Sequence, residues 1–244
     1  IRIADGVLGA EVTSNIVRAN IGPGIHLAGG STSGTLVFDN TVTGQTGDGI
    51  ALDGAAGNVL GGIAPDQPND VRGNGGFAVH VVTGSGNPIR GNILRDSGHA
   101  IALGAGLPAN DPNDADSGPN QLQNFPIPFH APIGDTYWAL HWGLMSAPDT
   151  AFTVDFYAGT CGSDGRGLAH RWLGSVDVST DFRGLYRGTD FFLGALPPES
   201  HVLLAATDPA FGNSSELSPC LPLADTQRIL KDGFESGYLD GWTD

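Results

Sequence analysis

Eleven residues near the middle of this 244-residue chain carry the densest oxygen chemistry in it. The run from 110 to 120 reads Asn110-Asp111-Pro112-Asn113-Asp114-Ala115-Asp116-Ser117-Gly118-Pro119-Asn120, three Asp, three Asn and two Pro in eleven positions. Hard carboxylate and amide oxygens at this density suit Ca²⁺, which takes six to eight of them. Asp111, Asp114, Asp116 and Asn120 are the candidate ligands. Their order is not that of an EF-hand loop, because the closing Glu is missing. The competing reading is an Asx-turn linker that closes the end of whatever precedes it. The second chemical feature is the pair Cys161 and Cys220, the only two cysteines. An even count in a loop-rich, acidic chain points to one disulfide and an oxidising compartment, against the alternative of two buried thiols. Their joining closes a loop of about 60 residues, worth about 4 kcal/mol in the chain-entropy picture.

No catalytic constellation accompanies them. The acids of the N-terminal half, among them Asp39, Asp48, Asp53, Asp70 and Asp96, do not recur at one position of any repeat. Seven histidines show no metal-ligand spacing, and no Ser-His-Asp grouping stands out. Asp39 is placed to meet Arg18 or Arg72 as an ion pair before it is a catalyst. The expectation is therefore a protein without enzymatic activity. Net charge is −15, from 26 acids and 11 bases, which disfavours nucleic acid and anionic membranes as partners. No apolar run reaches the ~18 residues of a membrane span. The chain opens in mid-pattern with Ile1-Arg2-Ile3, as a mature or excised piece of something longer does.

The elements that must hold these residues are short strands. Glycine accounts for 38 residues, about twice the usual share. Helix formers are scarce, which leans all-β. One phrase recurs as Val17-Arg18-Ala19-Asn20, Val37-Phe38-Asp39-Asn40, Val71-Arg72-Gly73-Asn74 and Ile89-Arg90-Gly91-Asn92. A second follows it as Gly24-Ile25-His26-Leu27, Gly49-Ile50-Ala51-Leu52, Gly76-Phe77-Ala78-Val79 and Ala100-Ile101-Ala102-Leu103. A period in the twenties with apolar residues at alternate positions predicts a β-solenoid. Its inward stacks should be Ile25, Ile50, Phe77, Ile101 and Leu27, Leu52, Val79, Leu103, with Asn20, Asn40, Asn74 and Asn92 at one corner. An Asn there can take a left-handed conformation and bond neighbouring coils. Arg18, Phe38, Arg72 and Arg90 would form one outward file, suited to an anionic sugar polymer or to nearby acids. His26, Ala51, Ala78 and Ala102 would form another, and its alanines predict a covered face.

These phrases resemble the right-handed parallel β-helix repeats of bacterial secreted proteins, the fold shared with pectin lyases, over residues 1–106. The stretch around Asp114 to Pro126 is similar to a linker that leads such helices into a small sandwich. Residues 128–223 alternate without repeating, as in Trp138-Ala139-Leu140-His141-Trp142 and Phe152-Thr153-Val154-Asp155-Phe156, and turn signals separate about seven strands. Trp138 and Trp142 share a face with Leu140 and read as core. The tail, 224–244, carries Gly233-Phe234-Glu235-Ser236-Gly237, which resembles a phrase at the C-terminal ends of secreted bacterial proteins.

The fold expected is all-β, a short right-handed parallel β-helix (1–106), an acidic linker (107–127), an antiparallel β-sandwich (128–223) and a tail. The role expected is extracellular or cell-surface: a filament or coat subunit, or an adhesin. Self-association would use the open solenoid end and the tail, with Ala51, Ala78, Ala102 and Phe234 as contact residues. The rival expectation is a polysaccharide-binding or lyase-like module.

Overall fold

The structure, a computed structural model, describes residues 1–131, 137–162, 165–193, 198–199 and 201–223. Strands of two to five residues fill the first part: β1 (Arg2–Ala4), β2 (Glu11–Thr13), β3 (Ile16–Arg18), β4 (Ile25–Ala28), β5 (Leu36–Phe38), β6 (Thr41–Thr43), β7 (Ile50–Asp53), β8 (Val59–Gly61), β9 (Asp70–Arg72), β10 (Val79–Thr83), β11 (Ile89–Arg90), β12 (Ile93–Arg95) and β13 (Ile101–Leu103). They pair in parallel as three sheets, β1-β4-β7-β10-β13, β2-β5-β8-β11 and β3-β6-β9-β12, which is a solenoid of about four turns. Each coil places one apolar residue of the second and of the third sheet inside, so Val12, Val37, Leu60 and Ile89 stack in the one and Val17, Val42, Val71 and Leu94 in the other.

The first sheet corrects one expectation. Its inner stacks are Ile25, Ile50, Val79, Ile101 and Leu27, Leu52, Val81, Leu103. Phe77 lies outside the stack, half-buried, its ring centroid 4.7 Å from that of His80 and 5.5 Å from that of His99. Alternation fixes which face a residue takes, and a slip of two residues leaves every face unchanged. Hydrophobic pattern alone therefore could not separate Phe77 from Val79. The same slip takes Ala78 out of the outward file, which reads His26, Ala51, His80, Ala102. Ala78 is fully buried in the core.

The recurring amides form three ladders where one corner was expected. Asn15, Asn40, Asn69 and Asn92 make the first. Asn20, Gln45 and Asn74 make the second, and Asn58, Asn87 and Asn120 the third. In each, a rung's side-chain oxygen accepts the backbone N–H of the rung before it, and mostly its side-chain N–H as well. The left-handed residue is the one preceding the rung: Ser14, Ala19 and Asp39 have φ of 55°, 51° and 55°. A left-handed turn costs little at Gly and more elsewhere, and here it aims the next amide inward.

Asp48, His80 and Gly104 tie successive coils. His80 Nδ1 lies 2.9 Å from Asp48 Oδ2, and Nε2 lies 2.8 Å from the Gly104 carbonyl. Two acceptors suit an imidazolium that donates to both.

The second part is a sandwich. One sheet is β14 (Ile127–His130), β15 (Tyr137–Met145) and β18 (Leu185–Leu193); the other is β17 (Gly167–Ser179), β16 (Ala151–Cys161), β19 (His201–Asp208) and β20 (Asn213–Ser214), with β21 (Leu221–Pro222) beside β19. Trp138, Leu140, Trp142 and Leu144 face Phe152, Val154, Phe156, Val202, Leu204 and Ala206 in one core. Both tryptophans are buried there, as their spacing implies. Tyr157, Ala169, Leu203 and Ala205, on the other face of the second sheet, join Ile89, Leu94, Ile101 and Leu103 of the last coil. β19, inside that sheet, is buried on both faces, which is why Val202-Leu203-Leu204-Ala205-Ala206 is apolar throughout.

The sandwich seals the solenoid's C-terminal end with hydrogen bonds as well as apolar contact. Arg90 Nε and Nη2 donate to Asp155 Oδ2 and Oδ1 at 2.7 and 2.8 Å, and the Asp155 side chain is 1% exposed. Trp172 Nε1 donates to the same carboxylate at 2.9 Å. Gly91 N–H donates to Tyr157 Oη at 2.9 Å, Ile89 N–H to Ser214 Oγ at 2.9 Å and Leu103 N–H to Glu216 Oε1 at 3.0 Å. Gly91, at φ 68°, must be glycine, since a Cβ there would strike the Gly62 carbonyl.

Two outcomes follow from this packing. Arg90→Ala strands a buried carboxylate and lowers unfolding free energy by about 3–5 kcal/mol, whereas Tyr157→Phe orphans one N–H and costs about 1–3 kcal/mol. Urea denaturation measures both; equal and negligible effects would mean that the two parts fold without this seal. The His80 contact predicts a pH dependence. Its hydrogen bond to Asp48 raises its pKa above the ordinary 6.5 against the opposing effect of burial. For Asp48, burial alone would raise the pKa, but the bonds from His80 and from Phe77 N–H outweigh it and hold the group below 3.8. The stabilisation is thus complete between these ordinary values, lost as pH rises through the folded His80 pKa, and lost again as pH falls through that of Asp48. The melting temperature should fall from pH 6 to pH 9 in the wild type and respond less in His80→Gln.

Candidate functional site

The acidic loop is built between the two parts. β13 ends at Leu103 and β14 begins at Ile127, and between them lie two short 3-10 turns, Pro112–Asp114 and Pro119–Leu122. Asn113 and Asp114 both turn left-handed, at φ 60° and 55°. Asn124 anchors the loop: its Nδ2 donates to the carbonyls of Asp111 and Met145, its Oδ1 accepts from Asp111 N–H, and its own N–H donates to Asp114 Oδ1 at 3.0 Å. Ser146 Oγ, at the end of β15, donates to Asp114 Oδ2 at 2.7 Å. Asn110 and Phe125 close the base through two further bonds.

This brings one carboxylate oxygen from each of Asp111, Asp114 and Asp116 within 4.8 Å of the others. Asp111 Oδ2 accepts Ala115 N–H, while Asp111 Oδ1 is buried with no hydrogen-bond partner. Burial pushes the Asp114 carboxyl up to about 6, helped by repulsion from Asp111 and Asp116 and opposed by the Ser146 and Asn124 bonds. Asp116 is shifted upward too, by slight burial and by Asp111. The charge of Asp111 thus adds to the upward shift of both Asp114 and Asp116, and the three carboxylates form a site at which a cation would relieve repulsion.

Asn120 takes a different place. It is fully buried and is the last rung of the third ladder: its Oδ1 accepts from Asn87 N–H and Nδ2, and its Nδ2 donates to the carbonyls of Asn87 and Ser214. Its amide is therefore committed to sealing the solenoid.

The arginine file is rearranged. Arg18, Thr43, Arg72 and Arg95 lie in register along the third sheet. Phe38 and Arg90 belong to the second sheet, paired with Thr13 and Gly61 respectively. A coil contains three strands, and the repeated phrase does not tell which strand an arginine occupies. Asp70, two residues along β9 from Arg72, accepts at Oδ2 from Arg72 at 2.7 Å and Arg95 at 3.3 Å, so much of the file's charge is met on the same sheet. Asp39 pairs with neither Arg18 nor Arg72 and accepts from Ser14 Oγ at 2.6 Å.

Ala51 and Ala102 are buried in the outward file that also carries His26 and His80. The sandwich packs on the solenoid's end and against β12. Phe234 lies outside the described residues. Cys161 and Cys220 form the disulfide, with Cα atoms 5.8 Å apart, joining the end of β16 to the segment before β21. The residues that sequence reasoning passed over are the sealing set: Asp155, Tyr157, Asn213, Ser214 and Glu216. Their partners lie from 65 to 127 positions away. The only trace in the sequence is the unbroken apolar run of β19, which implies burial on both faces. No helix among the described residues is long and apolar enough to cross a membrane.

No known protein family matches the chain, and no curated protein matches it. Among solved structures, the enzymatically active domain of tailspike protein 2 from bacteriophage CBA120 aligns at 10% identity over 89% of this chain and 52% of that one, with a TM-score of 0.17. The chain thus spans about half the length of that protein, and at this score the likeness bears on neither fold nor activity.

Proposed function

We propose that this chain is a structural module of an extracellular or cell-surface bacterial protein, acting in assembly or adhesion and without catalysis of its own. The observation that carries the reading is the stack of parallel coils sealed at its C-terminal end by the chain's own sandwich, a scaffold whose regular sheet faces suit contact with other chains. The disulfide agrees with an oxidising compartment. The acids in the solenoid are engaged in different places: Asp39 with Ser14, Asp48 with His80, Asp53 with Thr83 and Asp70 with Arg72.

We further propose that Asp111, Asp114 and Asp116 bind Ca²⁺ and so stiffen the junction between solenoid and sandwich.

Native material viewed by electron microscopy should contain ordered assemblies, and purified chain incubated with pectin or alginate should release no unsaturated uronate. Turnover that Asp39→Asn abolishes would replace this reading with a lyase. For the metal, Ca²⁺ at pH 7 should raise the melting temperature by a few degrees, and Asp114→Asn should abolish the rise. In chelator, Asp114→Asn should melt above the wild type, because at pH 7 the native site must hold a carboxylate that burial disfavours. A melting temperature indifferent to Ca²⁺ would remove the metal.

A further inference from the structure

The sandwich has two outward sheet faces, and they differ. That of the second sheet packs on the last coil through Tyr157, Ala169, Leu203 and Ala205. Farther along β17 it turns polar: Ser175, Asp177 and Ser179 alternate, all exposed, and Thr153 Oγ1 donates to Asp177 at 2.7 Å. This is the ordinary alternation of an antiparallel sheet with one face in water.

The first sheet breaks that alternation. Its inward residues Trp138, Leu140, Trp142 and Leu144 fill the core, and its outward residues are apolar as well. Leu193 is 91% exposed, Phe191 69%, Tyr137 46%, Phe129 42% and Ile127 38%. In register, Leu193 lies opposite Tyr137, and Phe191 opposite Ala139. The Tyr137 and Phe191 ring centroids are 6.2 Å apart, and the Phe129 ring passes over Gly143, whose partner on β14 is Ile127. His141 lies among them, 2.8 Å from Thr189 Oγ1, with the His130 ring stacked on it at 5.5 Å. Arg187 and Met145 complete the face. The chain has 26 acids, and none lies on this face among the described residues. Exposed aromatics with Met and Arg, and no acids or lysines, are the composition of a protein contact.

Charge selects the occupant. At a net charge of −15, most surfaces of two copies set acid against acid. At physiological salt a charge acts over about 8 Å, so the groups in and around the contact decide the repulsion. The acid-free face is where two copies can meet without it. A cationic partner would be drawn to the acidic remainder of the surface instead. Area agrees. The strands have four, nine and nine residues. With strands ~4.8 Å apart and a rise of ~3.4 Å per residue, the footprint is roughly 30 by 14 Å. Two such faces bury on the order of 1,000 Å², the low and transient end of specific interfaces.

We propose that the outward face of β14, β15 and β18 is the contact through which two copies of this chain pair, sheet on sheet across a two-fold axis, each face serving as its own partner. The pairing is weak and reversible. It names one contact for the assembly reading above and rests on that reading only for its biological purpose.

Sedimentation equilibrium of the full chain from about 5 to about 300 μM should show the mean mass rising from one chain toward two. Raising NaCl from about 0.02 to about 0.5 M should strengthen the dimer, because only the surrounding acids oppose it. Phe191→Asp should weaken it by about tenfold or more. Phe211→Asp, at an aromatic 73% exposed between β19 and β20, should leave it unchanged. Leu193→Asp repeats the test at a side chain with little packing to lose, should Phe191→Asp melt below the wild type. A monomer at every concentration, a dimer that salt dissolves, or one that both Phe191→Asp and Leu193→Asp leave intact would overturn the proposal. If the monomer's Phe191 and Tyr137 ring resonances shift on adding oligosaccharide, the face belongs to a sugar instead. These outcomes leave the assembly reading to the microscopy, and a dimer without higher assemblies would keep the contact and remove that reading.

Discussion

A stack of parallel coils satisfies its backbone only through the coil above and the coil below, so each end must be closed by something else. In this protein the C-terminal closure is made by side chains. Asn213, Ser214, Tyr157, Glu216 and Asn120 offer oxygens to the N–H groups of Gly86, Ile89, Gly91, Leu103 and Asn87 in and around the last turn. The sandwich acts as the missing next coil. Its second sheet supplies apolar contact over the core, and its side chains stand where backbone carbonyls would have been. The Arg90–Asp155 pair, with Trp172 bonded to the same carboxylate, fixes how the two parts meet. Such a pair adds less to net stability than a hydrophobic replacement could, but breaking it exposes the full cost of a buried charge.

The same accounting explains the interior. The turns between strands leave amides and carbonyls inside the coil, and the Asn and Gln ladders use side-chain amides as extra peptide groups to satisfy them from coil to coil. Because each rung's side-chain oxygen accepts from the rung before it, the ladder has polarity. The oriented ladders give the solenoid a direction that its hydrophobic core lacks. The acidic loop inherits its shape from this closure: Asn120 is fixed as a rung, Asn124 and Ser146 hold Asp114, and the three carboxylates are gathered where the linker crosses from one part to the other.

The class of fold and much of the core are legible in the chain's residue pattern. A period near 25 with alternating apolar residues is enough to require stacked coils, and Ile25, Ile50 and Ile101 lie where that period puts them. Trp138 and Trp142 were legible as core because they share strand parity with Leu140. The gathering of Asp111, Asp114 and Asp116 followed from their closeness in the chain.

The remainder depends on how the coils and sheets pack in three dimensions. Strand parity does not distinguish Phe77 from Val79, because two residues of slip preserve every face. A repeated Asn does not announce its corner, because each coil has three. Arg95, and not Arg90, completes the outward file for the same reason. Asn120 left the candidate metal set because a ladder rung and a cation compete for the same amide oxygen. The seal was illegible because its bonds join residues far apart in sequence, and only the docking of one sheet on the last coil brings those donors and acceptors to one place.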